Sequence, residues 1–162
     1  MVRDEIAVSG LIGECVESKR PLADAFGIAL QAEIGEGRAS LRGDRRLLKA
    51  ALCNLIDIAL KHARYAGTVT IGHKATGERD TITIACDGEG IPFDELCEMQ
   101  DISCRPARSS GWEPPECDTR HAGLSIARDV VDLHSGRIGV RSLEGKGAAF
   151  SIHLPRYCLQ PA

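Results

Sequence analysis

In the stretch NLIDIALKHA, Asn54 to Ala63, three residues, Asn54, Ile58 and Lys61, follow one another at steps of four and three. That spacing puts them on one face of a helix. An amide and an ammonium group sharing a face away from the core read as a binding site. Ile58 stands between them and offers no polar atom. A second candidate is CDGEGIP, Cys86 to Pro92, where Asp87, Gly88 and Gly90 lie at the end of a strand; taken alone, it is also an ordinary strand-end turn. A third is a group of thiols, Cys97, Cys104 and Cys117 with His121. A structural zinc needs four such ligands, but the paired Cys-x2-Cys spacing is missing. Thiols near Arg105 and Arg108 suit a redox-sensitive loop better, and free thiols without a role are the simplest reading. No residue is assigned to a metal.

The elements that must position these residues follow from periodicity. Leu48, Leu52, Leu55 and Ala59 make the apolar stripe of a long helix that Asp44 caps and that ends near Ala63. Residues 10–25 predict another helix, with Cys15, like Cys53 in the long helix, as a small core residue. Ile28–Ile34 alternates as a strand, and Ala39–Arg42 reads as a short one. Thr68–Ala75 and Thr81–Asp87 alternate around a turn at Gly77–Asp80, which predicts a hairpin. Residues 88–120 lack a sustained period, carry Trp112, and read as a long loop with one short helix near Phe93–Met99. Ala122–His134 is a helix, and strands at Gly136–Arg141 and Ala148–Leu154 close the chain. Mixed elements with hairpin strands imply an α+β two-layer sandwich: helices on one face of a mixed, mostly antiparallel sheet.

Composition narrows the function classes. The chain has 162 residues, 43% hydrophobic and 27% charged, with a net charge of −3. That supports a folded core and no nucleic-acid partner. The apolar runs are too short to cross a bilayer, and MVRDEIAVSG lacks the core of a signal peptide. The expected location is cytoplasmic without direct membrane contact, although a larger parent could be tethered. Seven irregularly spaced cysteines argue against a disulfide framework.

In order and spacing, NLIDIALKHA, CDGEGIP and HAGLSIARDVVDLHSGRIGVRSLEGKGAAFSIHLP, His121 to Pro155, resemble the catalytic ATP-binding domain of sensor histidine kinases. That domain belongs to the wider ATPase group with DNA gyrase and the Hsp90 chaperones, which shares the Bergerat fold. The resemblance covers nearly the whole chain, so one domain is expected over 1–158, with a lid at about 88–121 and a tail at 159–162. It implies ATP and Mg2+ as cofactors. It implies two partners, a phosphoacceptor and dimerisation helical hairpin and the receiver domain of a response regulator. The reaction implied is phosphorylation of a histidine. The chain has little room for that hairpin, and none of its histidines sits in a phosphoacceptor context. His134 matches a position at the end of the last helix and reads as a helix cap.

Carried over residue by residue, the resemblance implies a nucleotide site of Asn54, Lys61, His62, Cys86, Asp87, Gly88, Gly90, Arg105, Gly123 and Leu124. Several positions depart from the family pattern. The Asp that binds the adenine amino group is Cys86 here, with Asp87 one residue late. The second Asn of the helix, which helps hold Mg2+, is Ile58; Asp57 points about 100° away. Of the phosphate-loop glycines only Gly123, followed by Leu124, persists, with Arg120 and His121 ahead of it. His121 reads as a cationic replacement or, more simply, as an obstruction where backbone must approach closely. Gln100 and Ser103 replace lid aromatics, and Arg105 matches the lid cation. Lys61 and His62 read equally well as phosphate contacts and as a solvated helix end. These losses suggest a degenerate member with weak or absent ATP binding. A pseudokinase docking module and a cysteine-based redox or metal sensor stand as alternatives, and no catalytic residue is assigned.

Overall fold

The computed structural model describes residues 3–34, 40–63, 66–76, 79–88, 90–104, 122–143 and 145–155. Its elements run β1 (Asp4–Ala7), α1 (Val8–Ala25), β2 (Ala29–Ile34), β3 (Ser40–Gly43), α2 (Arg45–His62), β4 (Thr68–Thr76), β5 (Arg79–Cys86), α3 (Phe93–Cys104), α4 (Ala122–Leu133), β6 (Arg137–Leu143) and β7 (Gly147–Pro155). Five strands form one sheet in the order β2-β4-β5-β7-β6. The β2–β4 pair is parallel and the rest are antiparallel. This is the expected α+β architecture, a mixed, mostly antiparallel sheet packed against helices on one face.

Alternation along β5 shows how sequence selects the covered face. Asp80, Ile82, Ile84 and Cys86 are buried, while Thr81, Thr83 and Ala85 are half-exposed on the other side. The helices fill the covered side with their apolar stripes: Leu48, Leu52, Leu55 and Ala59 of α2, Leu11, Ile12 and Val16 of α1, and Leu124, Ala127 and Val131 of α4. Each large apolar side chain fully buried contributes about 1.5–3 kcal/mol. Several such side chains outweigh the roughly 3 kcal/mol that a proline costs inside a helix, and α1 continues through Pro21 because Val16 and Ala23 pack on either side of it. The buried face also holds a polar pair, with His73 Nε2 3.0 Å from Asp80 Oδ1.

Three details differ from the sequence expectations. The N-terminal residues form β1, which pairs antiparallel with β3 as a separate two-stranded sheet. Four residues with only Ile6 buried carry no readable alternation. The first helix begins at Val8 rather than residue 10, since Val8 is buried. The stretch read as loop after Gly88 is helical as far as Cys104, well beyond Met99. Met99 is buried and α3 packs on β6 and α4; the polar Gln100 and Asp101 in its second half hid the helical period.

Candidate functional site

Helix α2 places the candidate groups, so its two ends define the site. At the N-terminal end Asp44 Oδ1 accepts from the N–H groups of Arg46 and Leu47 at 3.0 and 3.2 Å, the expected cap. The N–H of Asp44 itself donates to His134 Nε2 at 2.9 Å, and His134 Nδ1 lies 2.7 Å from the carbonyl oxygen of Val130. A backbone N–H can only donate, so Nε2 is the acceptor and the proton sits on Nδ1, which donates to Val130. His134 therefore ends α4 and starts α2 with one neutral ring. A side chain at position 43 would meet that ring, since a Cβ on Gly43 would lie 2.6 Å from His134 Cδ2.

Near the C-terminal end, Asn54 is half-buried and faces the first turn of α4. A Cβ on Gly123 would lie 3.5 Å from the Asn54 Cβ and 3.7 Å from its amide carbon. Leu124, beside that glycine, is fully buried and acts by packing. Ile58 is partly buried and packs against the margin of the core. Asp57 pairs with Lys19 of α1, Nζ to Oδ1, at 2.9 Å, a direction set by the helix and away from Asn54. Lys61 is exposed. His62 Nε2 lies 3.5 Å from Glu95 Oε1 in the first turn of α3, with the His62 side chain only 12% exposed.

The end of β5 supplies the facing wall. Cys86 is buried between Val69 and Ala148, and its burial pushes the thiol up. Asp87 is exposed and hydrogen-bonded across to the start of β4. Its N–H donates to the Thr68 carbonyl at 3.2 Å, and its Oδ1 accepts from the Thr68 N–H at 2.7 Å. Gly88 is buried, and Gly90 has φ +86°, which suits glycine. The Ile91 N–H then donates to Ser142 Oγ at 2.7 Å, which fixes the turn on β6. Gly147, with φ +91°, presses on the Cys86 carbonyl so closely that a Cβ there would overlap it.

The structure thus brings Asn54 to Gly123, and ties Asp87 to Thr68 and His62 to Glu95. Arg105, Arg108, Trp112, Cys117, Arg120 and His121 lie outside the described residues, as do the side chains of Ser103 and Cys104. Among the described residues no cluster of His, Cys, Asp or Glu could hold a metal ion, and no helix is long and apolar enough to cross a membrane. Sequence reasoning passed over Thr68, Glu95 and Ser142. Glu95 alone left a trace, as an acidic residue opening a helix.

Residues 43–157 match the family model described as the histidine kinase-, DNA gyrase B- and HSP90-like ATPase. The chain is 29% identical over 158 residues to the alginate biosynthesis sensor protein KinB of Pseudomonas aeruginosa, covering 96% of this chain and 25% of that protein. It is 35% identical over 120 residues to the adaptive-response sensory kinase SasA of Synechococcus elongatus, covering 73% of this chain and 30% of that one. The chain thus spans less than half the length of these curated relatives. Among solved structures, the nucleotide-free catalytic domain of histidine kinase ThkA superposes with a TM-score of 0.77 at 21% identity, covering 96% of this chain and 98% of that one. The mycobacterial sensor histidine kinase MprB gives 0.72 at 23%, covering 95% and 97%. The chain belongs to the histidine kinase-, DNA gyrase B- and HSP90-like ATPase family. Its fold within that family is that of sensor histidine kinase catalytic domains.

Proposed function

We propose that this chain is the ATP-binding-type module of a sensor histidine kinase whose nucleotide site is degenerate, with weak or absent binding of ATP. The supporting observation is at the end of β5. The family's adenine-binding carboxylate position holds Cys86, a buried thiol and a poor acceptor. The adjacent carboxylate of Asp87 is engaged by the Thr68 N–H. The metal position gives the same answer. Mg2+ asks for oxygen ligands in near-octahedral geometry, while Ile58 has none and Asp57 is held by Lys19. Of the two basic candidates for phosphate, His62 faces Glu95 and only Lys61 is exposed. The described residues therefore do not fit Mg-ATP, and no phosphoryl-transfer step is derived through it. The retained family features, Asn54 against Gly123 and the Gly88–Gly90 turn, are those that also serve packing. Calorimetric titration with ADP and a non-hydrolysable ATP analogue, each with Mg2+ and with EDTA, tests this reading. The expected result is no Mg2+-dependent heat; Mg2+-dependent binding at micromolar concentration would overturn it.

A docking role has its own support. Leu22 and Phe26, one turn apart at the end of α1, are 38% and 47% exposed, an apolar pair in water that would suit contact with a helical hairpin or a receiver domain. A crystal structure of ThkA in complex with the response regulator protein TrrA exists for a similar fold. On this reading the module works in the cytoplasm, attached to a parent or partner kinase, and regulates by contact. Loss of co-purification with a phosphoacceptor hairpin on Phe26→Glu, with the fold retained, is the expected outcome.

A further inference from the structure

Helices α1 and α2 run side by side in the same direction, and three pairs mark their seam in order. Glu14 Oε1 meets Arg45 Nη2 at 2.9 Å, and one turn from the other end Lys19 Nζ meets Asp57 Oδ1 at 2.9 Å. Between these ion pairs lie two thiols, Cys15 of α1 and Cys53 of α2. The Cys15 sulfur lies 3.8 Å from the Lys49 carbonyl, the oxygen that the Cys53 N–H meets one turn on within the helix, so the two thiols face one another across the seam. Both are free. Cys15 is buried and donates its S–H to the Lys49 carbonyl at 3.8 Å, while Cys53 is half-buried. Sequence periodicity makes both of them core residues, and in the fold Cys15 is buried while Cys53 packs at the margin of the core.

We infer that Cys15 and Cys53 form a peroxide-reactive thiol pair that closes to a disulfide across the α1–α2 seam. The surroundings divide the labour. The Cys15 thiol beside it, Lys19 and Lys49 favour negative charge on Cys53; burial and Asp57 oppose it. The net effect pulls Cys53 down to about 7. Cys15 is held protonated by Cys53 beside it, by burial and by Glu14, against the pull of Lys49. Cys53 is then the attacking thiolate and Cys15 the resolving thiol.

The chemistry balances with a hydroperoxide as oxidant. The Cys53 thiolate attacks one peroxide oxygen, the O–O bond breaks, and the departing hydroxide takes a proton to leave as water. The product is a sulfenic acid on Cys53. The Cys15 sulfur then attacks the sulfenic sulfur, the S–S bond forms, and the hydroxyl leaves with the Cys15 proton as a second water. Two thiols are oxidised by two electrons in total, and one hydrogen peroxide is reduced to two waters. The bond would fix α2 to α1 one residue from Asn54, whether or not a nucleotide binds.

The test uses the whole reduced chain, exposed to hydrogen peroxide, quenched with N-ethylmaleimide and mapped by mass spectrometry. The expected result is a peptide joining Cys15 to Cys53, about 2 Da lighter than its two reduced halves together, with no maleimide on either residue, and reversal by dithiothreitol. Before oxidation, Cys53 should alkylate at pH 7 at least about tenfold faster than Cys15. In Cys15→Ala, dimedone should trap a sulfenic acid on Cys53. Recovery of both residues as alkylated thiols, under conditions that oxidise another cysteine, would overturn the inference. So would a disulfide from Cys53 to any cysteine other than Cys15. The wild-type map decides this even if a variant does not fold.

Discussion

At its N-terminus α2 is held by groups that answer one another. Asp44 caps its first turn, His134 accepts the Asp44 N–H and donates to α4, and Gly43 leaves room for the ring. At its C-terminus and on the facing β5 turn, three polar groups are engaged by neighbours within the fold. Asp87 holds Thr68, His62 meets Glu95, and Asp57 meets Lys19. On the proposed reading, Cys86 and Ile58 stand at the two positions where the family presents oxygen atoms. The two ends carry similar residue types, yet one is specified as a joint of the fold and the other has become part of the fold as well. A binding site differs from a packed seam in having polar groups aimed at something outside the protein. On the proposed reading, that aim is what the described residues of the second region lack.

The largest expected effect separates the ends by stability. His134→Ala leaves the Asp44 N–H unpaired and opens a cavity between α2 and α4, which should cost about 3 kcal/mol, read as a lower urea midpoint. A cost under about 1 kcal/mol would mean that the joint is not what holds α2. Next, Asp87→Ala should lower stability by about 1 kcal/mol by removing the bond to Thr68, read as a lower urea midpoint. Unchanged stability would mean that the bond to Thr68 does not hold this turn. Ser135, directly after His134, has φ +59°. Ser135→Gly should raise stability by up to about 1 kcal/mol by relieving the left-handed conformation, visible as a higher thermal midpoint. The smallest effect is expected from Lys61→Ala, within about 0.5 kcal/mol, because its side chain is exposed; a larger change would expose a partner for Lys61 that shapes this end.

Long periodic segments were legible from sequence because burial writes itself into spacing. The stripe Leu48, Leu52, Leu55, Ala59 and the alternation along Thr81–Cys86 each follow one face of one element. The β1–β3 pairing was not legible, since a four-residue strand with one buried side chain has no period to read. In the candidate site, the resemblance implies that Ile58 and Cys86 stand at positions where the family offers oxygen, a reading of motif positions that needs no coordinates. It did not reveal that Asp87 is tied to Thr68, 19 positions away in the chain, or that His62 meets Glu95. Those contacts depend on how β5 aligns with β4 and on α3 folding over the end of α2. The placing of Cys15 against the α2 turn that carries Cys53 was hidden for the same reason: two core-patterned residues on different helices give no sign that they face one another.

The most direct measurement is a paired calorimetric titration of the wild-type chain and the double variant Cys86→Asp with Ile58→Asn, using a non-hydrolysable ATP analogue and Mg2+. The account predicts no Mg2+-dependent binding for the wild type and at least about a tenfold gain in affinity for a folded double variant, about 1.4 kcal/mol. Tight Mg2+-dependent binding by the wild type, or no gain in the folded variant, would contradict it.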